Sequence, residues 1–500
     1  MKIQKVLIAN RGEIAIRVMR SLREMGIKSV AVYSESDKAA RFHRFADEAY
    51  CIGGTTSRES YLRQEKIIEV AKLSGCDAVH PGYGFLSENP EFAKACKAAG
   101  IKFIGPNPDV IKSLGDKIEA RKLAIKANLP IASGTEGSIE NIEEARAIAQ
   151  KVGFPVLVKA TAGGGGKGMK RVDKAEEFDK LFESARNVAL SAFGVGRVYI
   201  EKYLENPRHV EIQILCDEHG NGVYLNEREC SIQRRHQKVI EEAPSAVLSP
   251  EMRKQMGECA VRLAKEVGYT NAGTVEFLVD KYLNFYFLEV NTRLQVEHPV
   301  TEMITGVDLV REQVKIAEGE TLSFTQDEVS IYGHSIECRV YAEDPETFMP
   351  STGKLPHYVE PNGFGIRTDS AVEAGSEISM YFDPMIAKLV VWDRTRELAI
   401  QKMLRALSEY EISGVETTIP FCKFALDHEA FRSGKFDTHF VQNYYTGREK
   451  VEASREVMEA VAALAALIEH KEKNKVTLQV TTNGQAVSST SNWENRRHYR

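Results

Sequence analysis

Phe287-Leu288-Glu289-Val290-Asn291-Thr292-Arg293-Leu294-Gln295-Val296-Glu297-His298-Pro299 runs from an apolar strand straight into a dense polar turn. Asn284 to Val290 leans toward aromatic and aliphatic residues, the pattern of a half-buried strand. Side chains two apart on a strand share one face, so Glu289 and Asn291 point the same way. A carboxylate beside an amide oxygen suits a hard cation such as Mg2+, which takes oxygen ligands together with phosphates. Arg293 offers a planar fork for a small oxyanion such as bicarbonate or phosphate. Glu297 is then placed as general base toward whatever Arg293 holds. The competing reading is a surface salt-bridge cluster at a strand end, and the other motifs of the chain decide between the two.

The 500 residues suffice for several domains. A net charge of −5 and the absence of a long Lys/Arg block argue against nucleic acid as a partner. No apolar run reaches the length of a membrane span, so no membrane partner is expected. Lys5-Val6-Leu7-Ile8-Ala9 reads as a first strand, with no signal or transit peptide expected ahead of it. Cysteines stand at 51, 76, 96, 216, 230, 259, 338 and 422, never as Cys-x-x-Cys, so neither a zinc site nor a disulfide framework is indicated. A reducing, cytoplasmic compartment is the expectation.

Residues 1–115 alternate strand and helix patterns. Strands are predicted at Val6–Ala9, Ser29–Tyr33, Ala78–His80 and Lys102–Ile104, with helices over Ile14–Met25 and Pro90–Ala99. This is a doubly wound α/β pattern, but no G-x-G-x-x-G turn follows the first strand, which argues against a nicotinamide site. Two turns stand out: Asn10-Arg11-Gly12-Glu13, and His80-Pro81-Gly82-Tyr83-Gly84-Phe85-Leu86-Ser87-Glu88-Asn89. Glycines flanking an aromatic let backbone approach a flat ligand closely. Residues 116–203 read as a smaller domain with its linker. Lys159 lies in the buried strand Val156–Ala160 and needs an anion, for which a nucleotide phosphate is the obvious candidate. The run Gly163-Gly164-Gly165-Gly166-Lys167-Gly168 joins that strand to Met169–Val172; it is not a Walker A loop, and its setting suits a mobile lid whose N–H groups wrap phosphate.

Residues 204–446 form the large third part. Arg208–Ile214 alternates as a half-buried strand should. Glu227-Arg228-Glu229-Cys230-Ser231-Ile232-Gln233-Arg234-Arg235-His236-Gln237-Lys238 is dense in charge yet bounded by strand-like residues, which suits a phosphate-facing wall better than a solvated loop. Thr274–Leu278 and Phe285–Val290 read as a hairpin that brings Glu276 to Glu289. Two carboxylates so placed repel unless a cation intervenes, so Glu276, Glu289 and Asn291 are a candidate Mg2+ set. Ile336, Cys338 and Val340 alternate with Glu337, Arg339 and Tyr341 on a further strand. No chemistry is assigned to Tyr381–Lys388. Residues 447–500 are an addition: a helix from Val451 to about Lys473 with Val457, Val461, Leu464 and Ile468 on one face, then a polar segment ending Trp493–Arg500.

E-x-N-x-R-x-Q-V-E-H-x-x-T-E over Glu289–Glu302 resembles the signature of biotin carboxylases, a branch of the ATP-grasp ligases. The two N-terminal turns, the glycine run, the Glu227–Lys238 run and Glu337-Cys338-Arg339 resemble the same family in the same order, over residues 1–446. The resemblance implies an α/β ATP-grasp fold and MgATP-dependent carboxylation of biotin by bicarbonate through carboxyphosphate. Lys117, Lys159, His209, Gln233, His236 and the backbone of Gly165 and Gly166 would hold ATP. The backbone of Glu201 and Leu204, with the Lys202 side chain, would read adenine. Glu276, Glu289 and Asn291 would hold Mg2+ or Mn2+. Arg293, Gln295 and the Val296 N–H would hold bicarbonate, with Glu297 as base and Lys238 neutralising the phosphate beside it. Arg339 would stabilise the biotin enolate, close to Tyr83 and Gly84. No Ala-Met-Lys-Met biotin attachment site is present. A separate biotin carboxyl carrier protein and a carboxyltransferase subunit are therefore expected, with acetyl-CoA, propionyl-CoA, another acyl-CoA or pyruvate as final acceptor, and the resemblance implies a homodimer. Two alternatives are another ATP-grasp ligase of carbamoyl-phosphate or ribonucleotide type, and a non-catalytic assembly subunit.

Overall fold

Val6, Leu7, Ile8 and Ala9 are apolar at every position because the strand they build is covered on both faces. Leu7 and Ala9 pack with Val30, Val32 and Val79 on one side, and Val6 and Ile8 with Ile14, Val18 and Leu22 on the other. The computed structural model describes residues 2–135, 137–161, 169–193, 196–446, 455–473, 479–482 and 485–488. Strands β1 (Lys5–Ile8), β2 (Lys28–Tyr33), β3 (Glu48–Cys51), β4 (Ala78–His80) and β5 (Lys102–Phe103) form a parallel sheet in the order β3-β2-β1-β4-β5. The order reverses between β1 and β4, the position where loops leaving the strand ends gather ligands. Both singled-out turns leave there. The Asn10 amide ties them together, donating to the carbonyls of Pro81 and Tyr83 at 2.7 Å each. Gly82, at φ 62°, approaches so closely that a Cβ would fall 2.9 Å from Asn10 Nδ2.

β6 (Val156–Ala160), β7 (Lys170–Val172) and β8 (Val198–Lys202) pair antiparallel in the order β7-β6-β8. Helices Ile142–Val152 and Phe178–Phe193 cover this sheet with Ala145, Ala149, Phe178 and Phe182. The predicted glycine lid, including Gly165 and Gly166, lies outside the described residues.

The third sheet has eight strands: β9 (Arg208–Cys216), β10 (Gly222–Arg234), β11 (Gln237–Ala243), β12 (Asn271–Val279), β13 (Phe285–Asn291), β14 (His334–Tyr341), β15 (Ile366–Ser370) and β16 (Met385–Asp393). All are antiparallel, in the order β13-β12-β9-β10-β11-β14-β16-β15. One face rests on aliphatic cores, with Val210, Ile212, Val275 and Phe277 against the helix Pro250–Glu266. The opposite face carries charge, and it is buried. Arg228 lies there opposite Glu211, while Glu227 and Glu229 pair with Ile212 and Val210 on the first face; all are buried, so the charge run is an internal strand up to Arg234, with Arg235 and His236 exposed at its end.

The chain divides into two units, Met1–Thr446 and Gly447–Arg500. The second contains a helix, Arg455–Lys473, and the antiparallel strands Gln479–Thr482 and Gln485–Ser488. Val461 and Leu464 of its expected apolar face are exposed; the side chains of Val457 and Ile468 lie outside the described residues, as does Trp493–Arg500.

Candidate active site

Register places one row of charge across four strands. Glu276 of β12 is paired with Glu289 of β13 and with Glu211 of β9, and Glu211 is paired with Arg228 of β10. Like charges directly opposed across a sheet destabilise it unless cations lie among them. Lys238 of β11 supplies one: its Nζ donates to Glu211 at 2.5 Å, Glu276 at 2.9 Å and Glu297 at 2.7 Å. Arg228, without solvent exposure, supplies the other through Glu211, and its remaining N–H groups reach Gln213, Thr274, Thr301 and Gln295. Burial opposes the charge on Lys238, but the three carboxylates outweigh it and hold the ammonium proton far more tightly than usual.

Glu297 stands between β13 and the helix His298–Thr305, with Pro299 in the first helical turn fixing where that helix begins. Its second oxygen accepts from Arg339 of β14 at 3.0 Å, and Arg339 also pairs with buried Glu241. Burial alone would raise the proton affinity of Glu297; Lys238, Arg339 and Arg228 together hold it well below the usual carboxylate range. Glu241, by contrast, is raised to about 7, because burial and the neighbouring Glu297 outweigh Arg339.

Glu276 accepts from Asn291 Nδ2 at 2.8 Å, Gln295 Nε2 at 2.9 Å and His209 at 2.8 Å. Gln233 bonds the other ring nitrogen of His209 and the Cys230 carbonyl, both at 2.7 Å. Arg293 is held by Glu88 at 2.9 Å and by the Asn291 amide oxygen at 3.1 Å. Glu88 also accepts from the Thr292 N–H at 3.1 Å, so the second N-terminal turn closes on the end of β13. In that turn the Tyr83 hydroxyl donates to Glu13. Lys117 reaches Glu289 at 3.1 Å, and Lys159 reaches Glu201 at 2.6 Å. His236 is exposed at the β10–β11 turn, with φ 66°.

The segment expected to read adenine has its side chains engaged within the protein. The Lys202 ammonium bonds the carbonyls of Gly153 and Phe154 at 2.9 and 3.0 Å, and the Glu201 carboxylate is taken up by Lys159 and Arg121. The three expected metal ligands lie on neighbouring strands. Glu276 and Glu289 are register partners and Asn291 follows on the same face, a donor set of oxygens that fits a hard cation. The Asn291 amide must turn over to present oxygen there, since it now points nitrogen at Glu276. Glu211, Arg228 and Glu241 belong to this constellation without having been singled out, and Glu88 and Glu13 join it from the two turns, where no role was assigned to them. A signal existed for Glu211: the alternation of Arg208–Ile214 puts His209, Glu211 and Gln213 on one face, and the buried charge run next to it shows that this face is not solvent.

Three family models match consecutive parts of the chain. They are biotin carboxylase, N-terminal domain, over residues 2–111; carbamoyl-phosphate synthase L chain, ATP binding domain, over 116–325; and biotin carboxylase C-terminal domain, over 337–443. A pyruvate carboxylase subunit from Methanothermobacter thermautotrophicus is 55% identical over 461 residues, 91% of this chain and 94% of that protein. Biotin carboxylase 1 of Bacillus subtilis is 53% identical, over 88% of this chain and 99% of its own. Among solved structures, the biotin carboxylase domain dimer of Hydrogenobacter thermophilus 2-oxoglutarate carboxylase, in complex with MgADP, ADP and bicarbonate, matches with a TM-score of 0.85 and 49% identity. It covers 88% of this chain and 98% of that one.

Proposed function

This chain belongs to the biotin carboxylase family, and from that premise we propose how its side chains share the reaction. The protein is an ATP-dependent ligase that carboxylates carrier-bound biotin with bicarbonate through carboxyphosphate. One observation supports the assignment of roles above all: Lys238, Glu276, Glu297 and Arg339 form one continuous bonded set, with Arg293 joined to it through Asn291.

Lys117, Lys159, His209, Gln233 and His236, with the backbone of Gly165 and Gly166, hold ATP. The backbone of Glu201 and Leu204 and the Lys202 side chain read adenine; in the free protein the Lys202 ammonium bonds the carbonyls of Gly153 and Phe154. Glu276, Glu289 and Asn291 would hold Mg2+ or Mn2+, which would supply charge neutralisation at the ATP phosphates. Bicarbonate takes the place of Glu88 on Arg293 and is completed by Gln295 and the Val296 N–H. Glu297 removes its proton. In the free protein Lys238 and Arg339 both bond Glu297, which keeps it ionised but a weak base. As Lys238 turns to bicarbonate and phosphate, and Arg339 to bound biotin beside Tyr83 and Gly84, whose enolate it later stabilises, Glu297 loses both cations and its proton affinity rises. The same two groups then meet the charge that develops on substrate.

A biotin carboxyl carrier protein and a carboxyltransferase subunit complete the cycle, in keeping with the naming of the Methanothermobacter relative as one part of a larger carboxylase. A homodimer follows the Hydrogenobacter structure. Eight free thiols suit a reducing, cytoplasmic location. Among the described residues no helix is long and apolar enough to cross a membrane. The reading is tested by capturing the tagged protein from its own extract at low salt. The captured complex is then assayed for ATP-dependent transfer of labelled bicarbonate to acetyl-CoA, propionyl-CoA and pyruvate. Labelling of one acceptor identifies the physiological carboxylase. ATP turnover indifferent to biotin would return the chain to the other ATP-grasp ligases.

A further inference from the structure

Lys388 lies in the Tyr381–Lys388 segment, to which the sequence assigned no chemistry. It has no solvent exposure. Register pairs it with Arg339 on β14 and with Asp369 on β15, so its side chain leaves the sheet on the same face as Arg339, one strand further along. Its ammonium donates to the Val296 carbonyl at 2.9 Å. The same nitrogen lies 3.8 Å from Glu13 Oε2 and from Asp369 Oδ2, and 5.7 Å from the centre of the Tyr83 ring.

These contacts are unequal. Asp369 is already held by Arg367 through both its oxygens, at 2.7 and 3.1 Å. Glu13 already accepts from the Tyr83 hydroxyl, and among the described residues its Oε2 is buried without a hydrogen-bond partner. The one direct hydrogen bond of Lys388 is therefore to backbone, at the peptide joining Val296 to Glu297. A buried ammonium is costly; Lys388 balances the charge of Glu13 from 3.8 Å, but it spends its direct bond on a backbone carbonyl, which charge balance alone does not call for.

We infer that Lys388 is a positioning residue: it fixes the Val296–Glu297 peptide, and with it the Val296 N–H and the Glu297 carboxylate, against the cross-strand cation Arg339. Arg339 holds the carboxylate of Glu297 and Lys388 holds its backbone, so one pair of neighbouring strand positions sets the base from both ends. The inference rests on the assignment of Glu297 as base.

The test uses the full chain with Lys388→Met, Lys388→Arg, Lys388→Met/Glu13→Gln and Glu297→Gln. The readout is bicarbonate-dependent ATP hydrolysis with free biotin, beside thermal unfolding and MgATP affinity. A base displaced by about an ångström loses on the order of 100-fold in rate. We expect Lys388→Met to lose kcat to that extent with the KM for ATP within twofold, and Lys388→Arg, which keeps a donor toward Val296, to recover most of it. The double variant removes the ammonium together with the Glu13 carboxylate that the single variant strands, so it should unfold at a higher temperature than Lys388→Met and remain as slow. Recovery of wild-type kcat in the double variant would show that Lys388 only balances charge, and the inference falls. Near wild-type kcat in Lys388→Met overturns it as well. Full turnover in Glu297→Gln overturns the base assignment itself, and this inference with it.

Discussion

Glu297 is ionised where burial alone would protonate it, because Lys238, Arg339 and Arg228 surround it. This separates two substitutions that both touch the base. In Glu297→Gln the shape is kept, and Lys238 retains Glu211 and Glu276. We expect MgATP affinity and unfolding temperature close to wild type, with bicarbonate-dependent turnover down about 10³-fold, within the range of a lost general base. In Lys238→Gln three buried carboxylates lose their shared cation. Turnover should fall and the protein should also lose about 3–5 kcal/mol, the usual cost of stranding a buried charge. Parallel calorimetry and ATP-hydrolysis assays separate them, and equal stability of the two variants would contradict the three-way bridge. Lys238, Glu297 and Arg339 were readable because their spacing matches a family signature. Arg228 was not singled out, although it stands in the same run as Lys238. An arginine whose N–H groups are all spent inside the protein looks in sequence like any charged residue, and its role depends on which strand lies opposite.

At the scale of elements the same limit recurs. β1 was legible because a strand buried on both faces is apolar throughout. β3 was not: Glu48-Ala49-Tyr50-Cys51 alternates between half-buried and exposed positions at the sheet edge, and carries little pattern. The order β13-β12-β9-β10-β11-β14-β16-β15 depends on long-range pairing that no local signal encodes. One charged pin holds that order together. Glu242 of β11 accepts from His334 of β14 at 2.8 Å and from Arg396, at the start of the helix Arg396–Glu409, at 2.7 and 3.0 Å. Burial would raise its proton affinity, but Arg396 and His334 outweigh this and lower it from 4.5 to about 2. A carboxylate with a depressed folded value contributes stability that is full above pH 4.5 and lost as pH falls toward 2. Glu242→Gln should therefore lower unfolding free energy by roughly 3 kcal/mol at pH 7, with the gap to wild type closing as the pH is brought below 4.5. Urea unfolding of both proteins from pH 7 to pH 2 measures it, and a gap independent of pH over that range would assign the loss to packing.

Across the whole of the first unit, the proposed nucleotide ligands come from separate layers. Lys117 begins the helix Lys117–Lys126, Lys159 stands in the three-stranded sheet, and His209, Glu276 and Glu289 stand in the eight-stranded one. A ligand that engages all of them binds only the folded arrangement, so it must stabilise that arrangement by mass action. At a hundredfold excess over its dissociation constant the gain is about 2.7 kcal/mol. The cation enters the same balance, because Glu276 and Glu289 face each other and a triphosphate brought between them adds negative charge to a carboxylate pair. MgATP should therefore raise the unfolding temperature by a few degrees, while ATP with excess EDTA should raise it much less. Lys159→Met is the informative variant. Glu201 keeps Arg121 at 3.0 Å when Lys159 is lost, so the apo protein should unfold near the wild-type temperature while the MgATP shift largely disappears. Differential scanning calorimetry with and without MgATP reads both effects in one experiment. A full shift in Lys159→Met would remove that residue from the phosphate site, whereas a low apo temperature would make its bond to Glu201 structural.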